Sequence, residues 1–174
     1  DLRQSGYEFS TTTDTEVILY AYMQYGASFV RKLNGIFAFA IWDDSKKQLL
    51  LYRDRVGIKP LFYSFVSRQL LFASEPKALF CFPGFTPRVS MDGMREVLAI
   101  GPARTMGNGI FDDVNEVLPG HYLIFSKNTM SDHTYWDLFR APHTDSYEQT
   151  VETVSFLLRD SVTRQMVSDV PMCT

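Results

Sequence analysis

The chain has 174 residues, 45% of them hydrophobic and 14% aromatic, enough apolar material for one ordinary globular core. A net charge of −3 without any Lys/Arg cluster excludes the basic face of a nucleic-acid binder. The longest apolar stretch, Gly35 to Trp42, falls far short of the roughly 20 residues of a membrane-spanning helix.

In chain order, Asp1-Leu2-Arg3-Gln4 carries no signal-peptide hydrophobic run. Thr13-Asp14-Thr15-Glu16 has the form of a capping box, a hydroxyl residue with Glu three positions on. It predicts a helix from Glu16 to about Gln24, and the apolar residues Val17 to Met23 on nearly every face predict that it is mostly buried. Gly26 ends it, and Ala27 to Leu33 predict a second short helix. Ile36 to Trp42 and Gln48 to Arg53 flank a polar turn containing Lys46-Lys47, which reads as a solvated hairpin tip. Neither run alternates, so both strand faces are expected to be covered.

A second hairpin is predicted from Leu61 to Val66 and Gln69 to Ser74, then a short helix from Glu75 to Phe82, stopped by Pro83-Gly84. Ser90 is placed to cap a helix from Met91 to Ile100. Gly101 to Asn115 reads as a loop, and His121 to Phe125 with Met130 to Trp136 as a third hairpin turned at Lys127-Asn128. Phe139 to Asp145 is polar, contains Pro142 and reads as a linker. Ser146 with Gln149 is a second capping box. It opens a long amphipathic helix with a stripe of Tyr147, Val151, Val154, Leu158, Val162 and Met166. Hairpins in the middle with helices at both ends predict an α+β fold.

The residues that bear chemistry are few. Cys81, within Leu79-Phe80-Cys81-Phe82, is expected to be buried and inert. Cys81 and Cys173 are far apart and form no disulfide framework, so a reducing, cytoplasmic location is the expectation. His121, His133 and His143 sit at no metal-binding spacing and are expected on the surface or in turns. No Gly-rich phosphate loop followed by Lys-Ser or Lys-Thr is present. Arg53-Asp54-Arg55 predicts a local salt-bridge cluster at a strand end, and Asp14 sits where the helix dipole favours an acid on structural grounds alone.

Four segments in register resemble the class II glutamine amidotransferase domain of asparagine synthetases: Thr13 to Leu19, Leu33 to Asp43, Arg53 to Tyr63 and Phe72 to Leu79. Leu118-Pro119-Gly120-His121-Tyr122-Leu123 and Tyr135-Trp136-Asp137-Leu138 are similar to asparagine synthetases and their near relatives. Ser161-Val162 and Ser168-Asp169-Val170-Pro171 resemble the entry to the synthetase domain.

The resemblance implies a partial N-terminal nucleophile hydrolase fold, an αββα four-layer sandwich of antiparallel sheets. It implies residues 1–138 as the amidotransferase domain without its N-terminal part, 139–145 as linker and 146–174 as the first helix of the asparagine synthetase (ATP pyrophosphatase) domain. The chain starts at Asp1 and stops at Met172-Cys173-Thr174, and on this reading both ends are cut. The implied parent is a glutamine-hydrolysing ligase of asparagine biosynthesis. Its N-terminal Cys attacks the glutamine amide with its own α-amine as base, an Asn side chain and a Gly N–H form the oxyanion hole, and the released ammonia amidates an ATP-activated aspartate. The nucleophile and the Asn-Gly pair precede the matched segments, so no catalytic residue is assigned, and the fragment itself is expected to be inactive.

Asp14 matches the family's acid for the α-ammonium of glutamine. No catalytic role is assigned to Arg53, Asp54 or Glu75. ATP and Mg²⁺ are expected for the intact enzyme, with no metal or ATP site within this chain. Glutamine, aspartate and a second copy of the chain are the implied partners, without nucleic acid or membrane. A glucosamine-phosphate synthase is disfavoured by Ser168 to Pro171. A β-lactam synthetase-like or other related amidotransferase, or a non-catalytic binding module, stands as the alternative.

Overall fold

In the computed structural model, which describes residues 1–101, 105–127 and 129–166, the first long helix is α1 (Asp14–Tyr25), followed by a 3₁₀ helix Gly26–Lys32. The hairpin strands follow as β1 (Ala38–Asp43), β2 (Gln48–Arg53), β3 (Phe62–Val66) and β4 (Gln69–Ala73). Next come α2 (Pro76–Phe80), α3 (Met91–Ala99), the two-residue strand β5 (Asn115–Glu116), β6 (His121–Ser126) and β7 (Thr129–Thr134). The last helix is α4 (Tyr147–Gln165). The chain divides into two compact units, Asp1–Asp137 and Leu138–Thr174.

The first unit holds two antiparallel sheets, ordered β1-β2-β6-β7 and β4-β3-β5. Strand period explains their stacking, because alternate residues of one strand face opposite layers. On β2, Leu50 and Tyr52 point to α1 and the 3₁₀ helix and pack with Ala21, Phe29, Val30 and Ile41. Leu51 points the other way and packs with Leu61, Val117, Leu123, Phe125 and, from the second sheet, Tyr63 and Leu70. The outer face of the second sheet carries Phe62, with Leu79 and Phe80 of α2 over it. The order is therefore helix, sheet, sheet, helix, as the resemblance implies.

Several expectations are corrected. Helix α1 is half covered rather than mostly buried: Ala21 is buried, while Val17, Leu19 and Met23 are exposed. Only the stripe Ile18, Ala21, Tyr22 and Tyr25 meets the sheet, the 3- and 4-residue spacing of a single helix face. Thr13 makes no side-chain cap, so the reciprocal box does not form there. The strands are not covered on both faces throughout: β1 and β4 are edges and leave Trp42 and Phe72 exposed, and Phe65 of β3 is exposed beyond the two residues that pair with β5. The predicted loop from Gly101 ends in β5, which pairs with β3. Cys81 is exposed, because it follows α2 as its C-cap while Leu79 takes the buried position. Lys46 and Lys47 sit at the tip as expected, paired with Asp43 and Asp44.

The second hairpin turns on Ser67-Arg68, both with positive φ (49° and 65°), the geometry whose twist matches flanking strands. In the second unit, the Ser146 capping box is complete in both directions, with Gln149 as partner. All six residues of the α4 stripe are exposed. The turn residue Asn128, the Ser168 to Pro171 segment and Cys173 lie outside the described residues. Among the described residues no helix is long and apolar enough to cross a membrane.

Candidate amidotransferase site

Asp14 is the first residue of α1, exposed at its N-terminus. The segment before it is held by Glu16. One carboxylate oxygen of Glu16 accepts the Ser10 N–H at 2.9 Å; the other accepts the Thr11 N–H at 2.7 Å and the Thr11 hydroxyl at 2.6 Å. Thr11 Oγ1 lies 2.9 Å from Thr13 Oγ1 and accepts the Thr13 N–H, closing the loop. The Thr11 hydroxyl, then the Ser10 N–H, hold the Glu16 carboxyl below its ordinary range. One turn on, Tyr20 packs on Tyr7 and Phe9 at ring separations of 4.9 and 5.3 Å, fixing the same segment to the helix. Asp14 has no hydrogen-bond or ion-pair partner among the described residues. An ionised acid there is favoured by the helix dipole and keeps its oxygens free for a cation.

The other end of α1 is tied down. Tyr22 donates its hydroxyl to Asp43 at 2.6 Å, and Lys46 pairs with the same carboxylate at 3.0 Å. The Ser45 hydroxyl, then Tyr22 and Lys46, hold the Asp43 carboxyl well below the usual range. Tyr22 lies two turns from Asp14, about 12 Å along the axis. The helix therefore carries its free acid at the end away from this clasp.

Arg53 and Asp54 form the frame rather than a reactive pair. Arg53, buried on the inner face of β2, pairs with Glu116 of the opposite sheet at 2.8 Å. It also donates to the carbonyls of Val117 (2.6 Å), Gly57 (2.9 Å) and Lys59 (3.0 Å). Asp54, also buried, accepts the backbone N–H groups of Val56, Ile58 and Lys59. The expected local salt-bridge cluster is thus corrected: the guanidinium pairs across the sheets and the carboxylate caps a turn. Gly57 has φ +70°, and a Cβ there would meet the Arg53 guanidinium at 3.0 Å and Pro119 at 2.7 Å, so the motif needs glycine. Tyr135 donates to the Arg53 carbonyl at 2.7 Å, and burial pushes its phenol up to about 12. Glu75 pairs with Lys77 on the surface.

Sequence reasoning passed over Glu116, Tyr135 and Asp43, and read Glu16 only as a cap. Glu116 lies at the end of a segment read as loop, and nothing local marks it as the partner of Arg53. No hydrogen bond or ion pair among the described residues joins Asp14 to Arg53, Asp54 or Glu75. The histidines are in surface contacts: His121 with Asp132 and Thr134, His133 stacked on Tyr122, His143 with Thr150. No group of three metal-ligating side chains occurs among the described residues.

Comparison with known proteins gives this geometry a context. The glutamine amidotransferase domain family matches residues 1–136. The glutamine-hydrolyzing asparagine synthetase 3 of Bacillus subtilis is 45% identical over 174 residues, covering 100% of this chain and 28% of that protein. Amidase chyE of Penicillium rubens is 36% identical over 177 residues, covering 99% of this chain and 26% of that protein. The chain thus spans about a quarter of the length of these curated relatives. Among solved structures, glutamine phosphoribosylpyrophosphate amidotransferase from B. subtilis superposes with a TM-score of 0.51 at 21% identity, covering 78% of this chain and 25% of that one. That likeness concerns the fold alone, a partial N-terminal nucleophile hydrolase fold with its α+β layers. With the match over residues 1–136, the chain belongs to the class II glutamine amidotransferase domain family.

Proposed function

We propose that this chain serves the glutaminase half of a cytoplasmic, glutamine-dependent asparagine synthetase, and that Asp14 holds the α-ammonium of glutamine. The observation that carries the reading is the contrast on the first turn of α1: both oxygens of the Glu16 carboxylate accept bonds from the preceding loop, and the Asp14 carboxylate accepts none among the described residues. Glutamine is attacked at its side-chain amide, so its α-ammonium must be held some distance from the reaction. An acid set at the start of an anchored helix suits that task. The attacking Cys and the oxyanion donors are not among the residues of this site. On this reading residues 1–138 form the amidotransferase domain, 139–145 the linker, and α4 opens the synthetase domain.

Amidation of aspartate, with ATP and Mg²⁺, completes the proposal, as does assembly as a homodimer. The residues of this chain do not fit those cofactors. They contain no phosphate loop, and the described ones gather no metal-ligating cluster, so no step here runs through them.

The test uses the full-length protein. Asp14→Ala should remove a charge-assisted bond of roughly 1.5–3 kcal/mol, about a 10- to 150-fold loss in glutamine-dependent kcat/KM. Asparagine formation from free ammonia should be nearly unchanged. Equal loss with both nitrogen donors would mean that Asp14 only starts a helix. The likeness to a protein named as an amidase favours a second reading, a related amidotransferase acting on a compound other than aspartate. Ammonia-dependent turnover across a panel of carboxylic acids separates the two.

A further inference from the structure

We infer that Glu16 is a positioning residue for glutamine: it fixes the Ser10–Thr13 loop so that Asp14 meets the α-ammonium in one orientation. This rests on the reading of Asp14 given above. Glu16 acts on the loop rather than as the cation's own ligand: both of its carboxylate oxygens already accept bonds from the loop. One oxygen takes the Ser10 N–H, and the other takes both the N–H and the hydroxyl of Thr11.

A capping box would have turned this carboxylate back to the N-cap residue, Thr13, and stabilised only the helix start. Here it reaches five and six residues back and organises the chain that enters the helix. Thr11 passes the constraint on, since its hydroxyl oxygen contacts both Thr13 Oγ1 and the Thr13 N–H. Thr13 is the residue immediately before Asp14. Glu16 holds these loop donors, and the Asp14 side chain accepts no bond from them. A binding acid displaced by as little as 1 Å can lose up to about 100-fold in the rate it supports.

The experiment is a double-mutant cycle in the full-length protein, reading glutamine KM and kcat separately, with ammonia-driven synthesis as the measure of folding. Glu16→Gln keeps the shape and one acceptor but sets an NH₂ group against the Thr11 donors. It should raise the glutamine KM about tenfold, with kcat within about twofold. In an Asp14→Ala background the same change should add less than about twofold, because two residues acting through one contact are not additive. Thr11→Val, which removes one of the three bonds to Glu16 together with both contacts to Thr13, should raise KM in the same direction.

Additive effects of Glu16→Gln and Asp14→Ala would overturn the proposal while leaving Asp14 as the ligand. An unchanged KM in Asp14→Ala would instead overturn the reading on which it rests. If Glu16→Gln loses activity with both nitrogen donors through misfolding, Thr11→Val decides: no rise in KM overturns the proposal.

Discussion

The buried Arg53–Glu116 pair is the residue contact with the largest expected effect on stability. Glu116→Ala leaves a guanidinium inside the sandwich with carbonyl partners but no counter-charge. Breaking a buried pair this way costs about 3–5 kcal/mol, and a urea midpoint measured on wild type and variant should show it. Replacing both, as Arg53→Met with Glu116→Leu, should cost clearly less than the sum of the single changes. Tyr135, bonded to the Arg53 carbonyl, gives the same region a pH dependence. Burial favours its protonated phenol, so its ordinary value near 10 rises to about 12 in the folded chain. Its stabilisation is therefore fully present below pH 10 and lost as the pH climbs from about 10 to 12. Tyr52, also buried, has its phenol pushed up by desolvation and acts in the same sense. A thermal-unfolding series in that window should show a steep fall, shallower in Tyr135→Phe. Little in the local sequence marks these contacts. Arg53 and Glu116 meet only because two sheets stack, and the local ion pairs expected of Arg53-Asp54-Arg55 give way to a turn held by the Asp54 carboxylate.

At the level of elements, the strands and helices were mostly legible because their signals are local. The Ser146 box predicts α4 and forms as read. The Thr13 box does not, since the same hydroxyl-to-Glu spacing serves equally to hold an incoming loop, and only the path of residues 10–13 decides. Cys81 was misplaced for a similar reason: apolar neighbours suggest burial, but a residue ending a five-residue helix need not share the face of Leu79. Helix α4 is an element whose apolar stripe is exposed in this chain, Leu158 at 65%. Helices of this kind gain most of their stability from packing. Leu158→Ala should therefore change the stability of the 174-residue chain by less than about 0.5 kcal/mol. If α4 opens a synthetase domain, the same change in the full-length protein should cost about 2–5 kcal/mol. Equal small effects in both would count against that domain assignment.

For the molecule as a whole, the α+β class was readable from hairpins and helices, and the four-layer order followed from the resemblance. What sequence could not show was how much of each sheet is covered, since exposure of Trp42 and Phe72 depends on which strands become edges, and that of Phe65 on how short β5 is. Chemistry at this scale is also testable. Cys81 follows α2 as its C-cap, and Cys173 is next to last, so neither cysteine of the polypeptide Asp1–Thr174 carries a free α-amine to act as its base. Loss of even one oxyanion donor lowers such rates by roughly 100- to 1,000-fold. The purified 174-residue chain should release no ammonia from glutamine above a heat-killed control. The two sheets, meanwhile, are fastened unevenly. At one end Arg53 grips the opposite sheet and a tight turn; at the other, beside the Ser67-Arg68 tip, lies a cavity of about 380 Å³ between Phe65, Leu70, Phe125 and Met130. The fastening there is of another kind: Phe125 meets Tyr63 and Phe65 of the opposite sheet at ring separations of 5.7 and 5.9 Å, so one end is held by charge and the other by aromatic contact. Amide deuteration should begin at the exposed Ser67-Arg68 turn of the second hairpin, reaching Val66 before the strand ends that face Arg53.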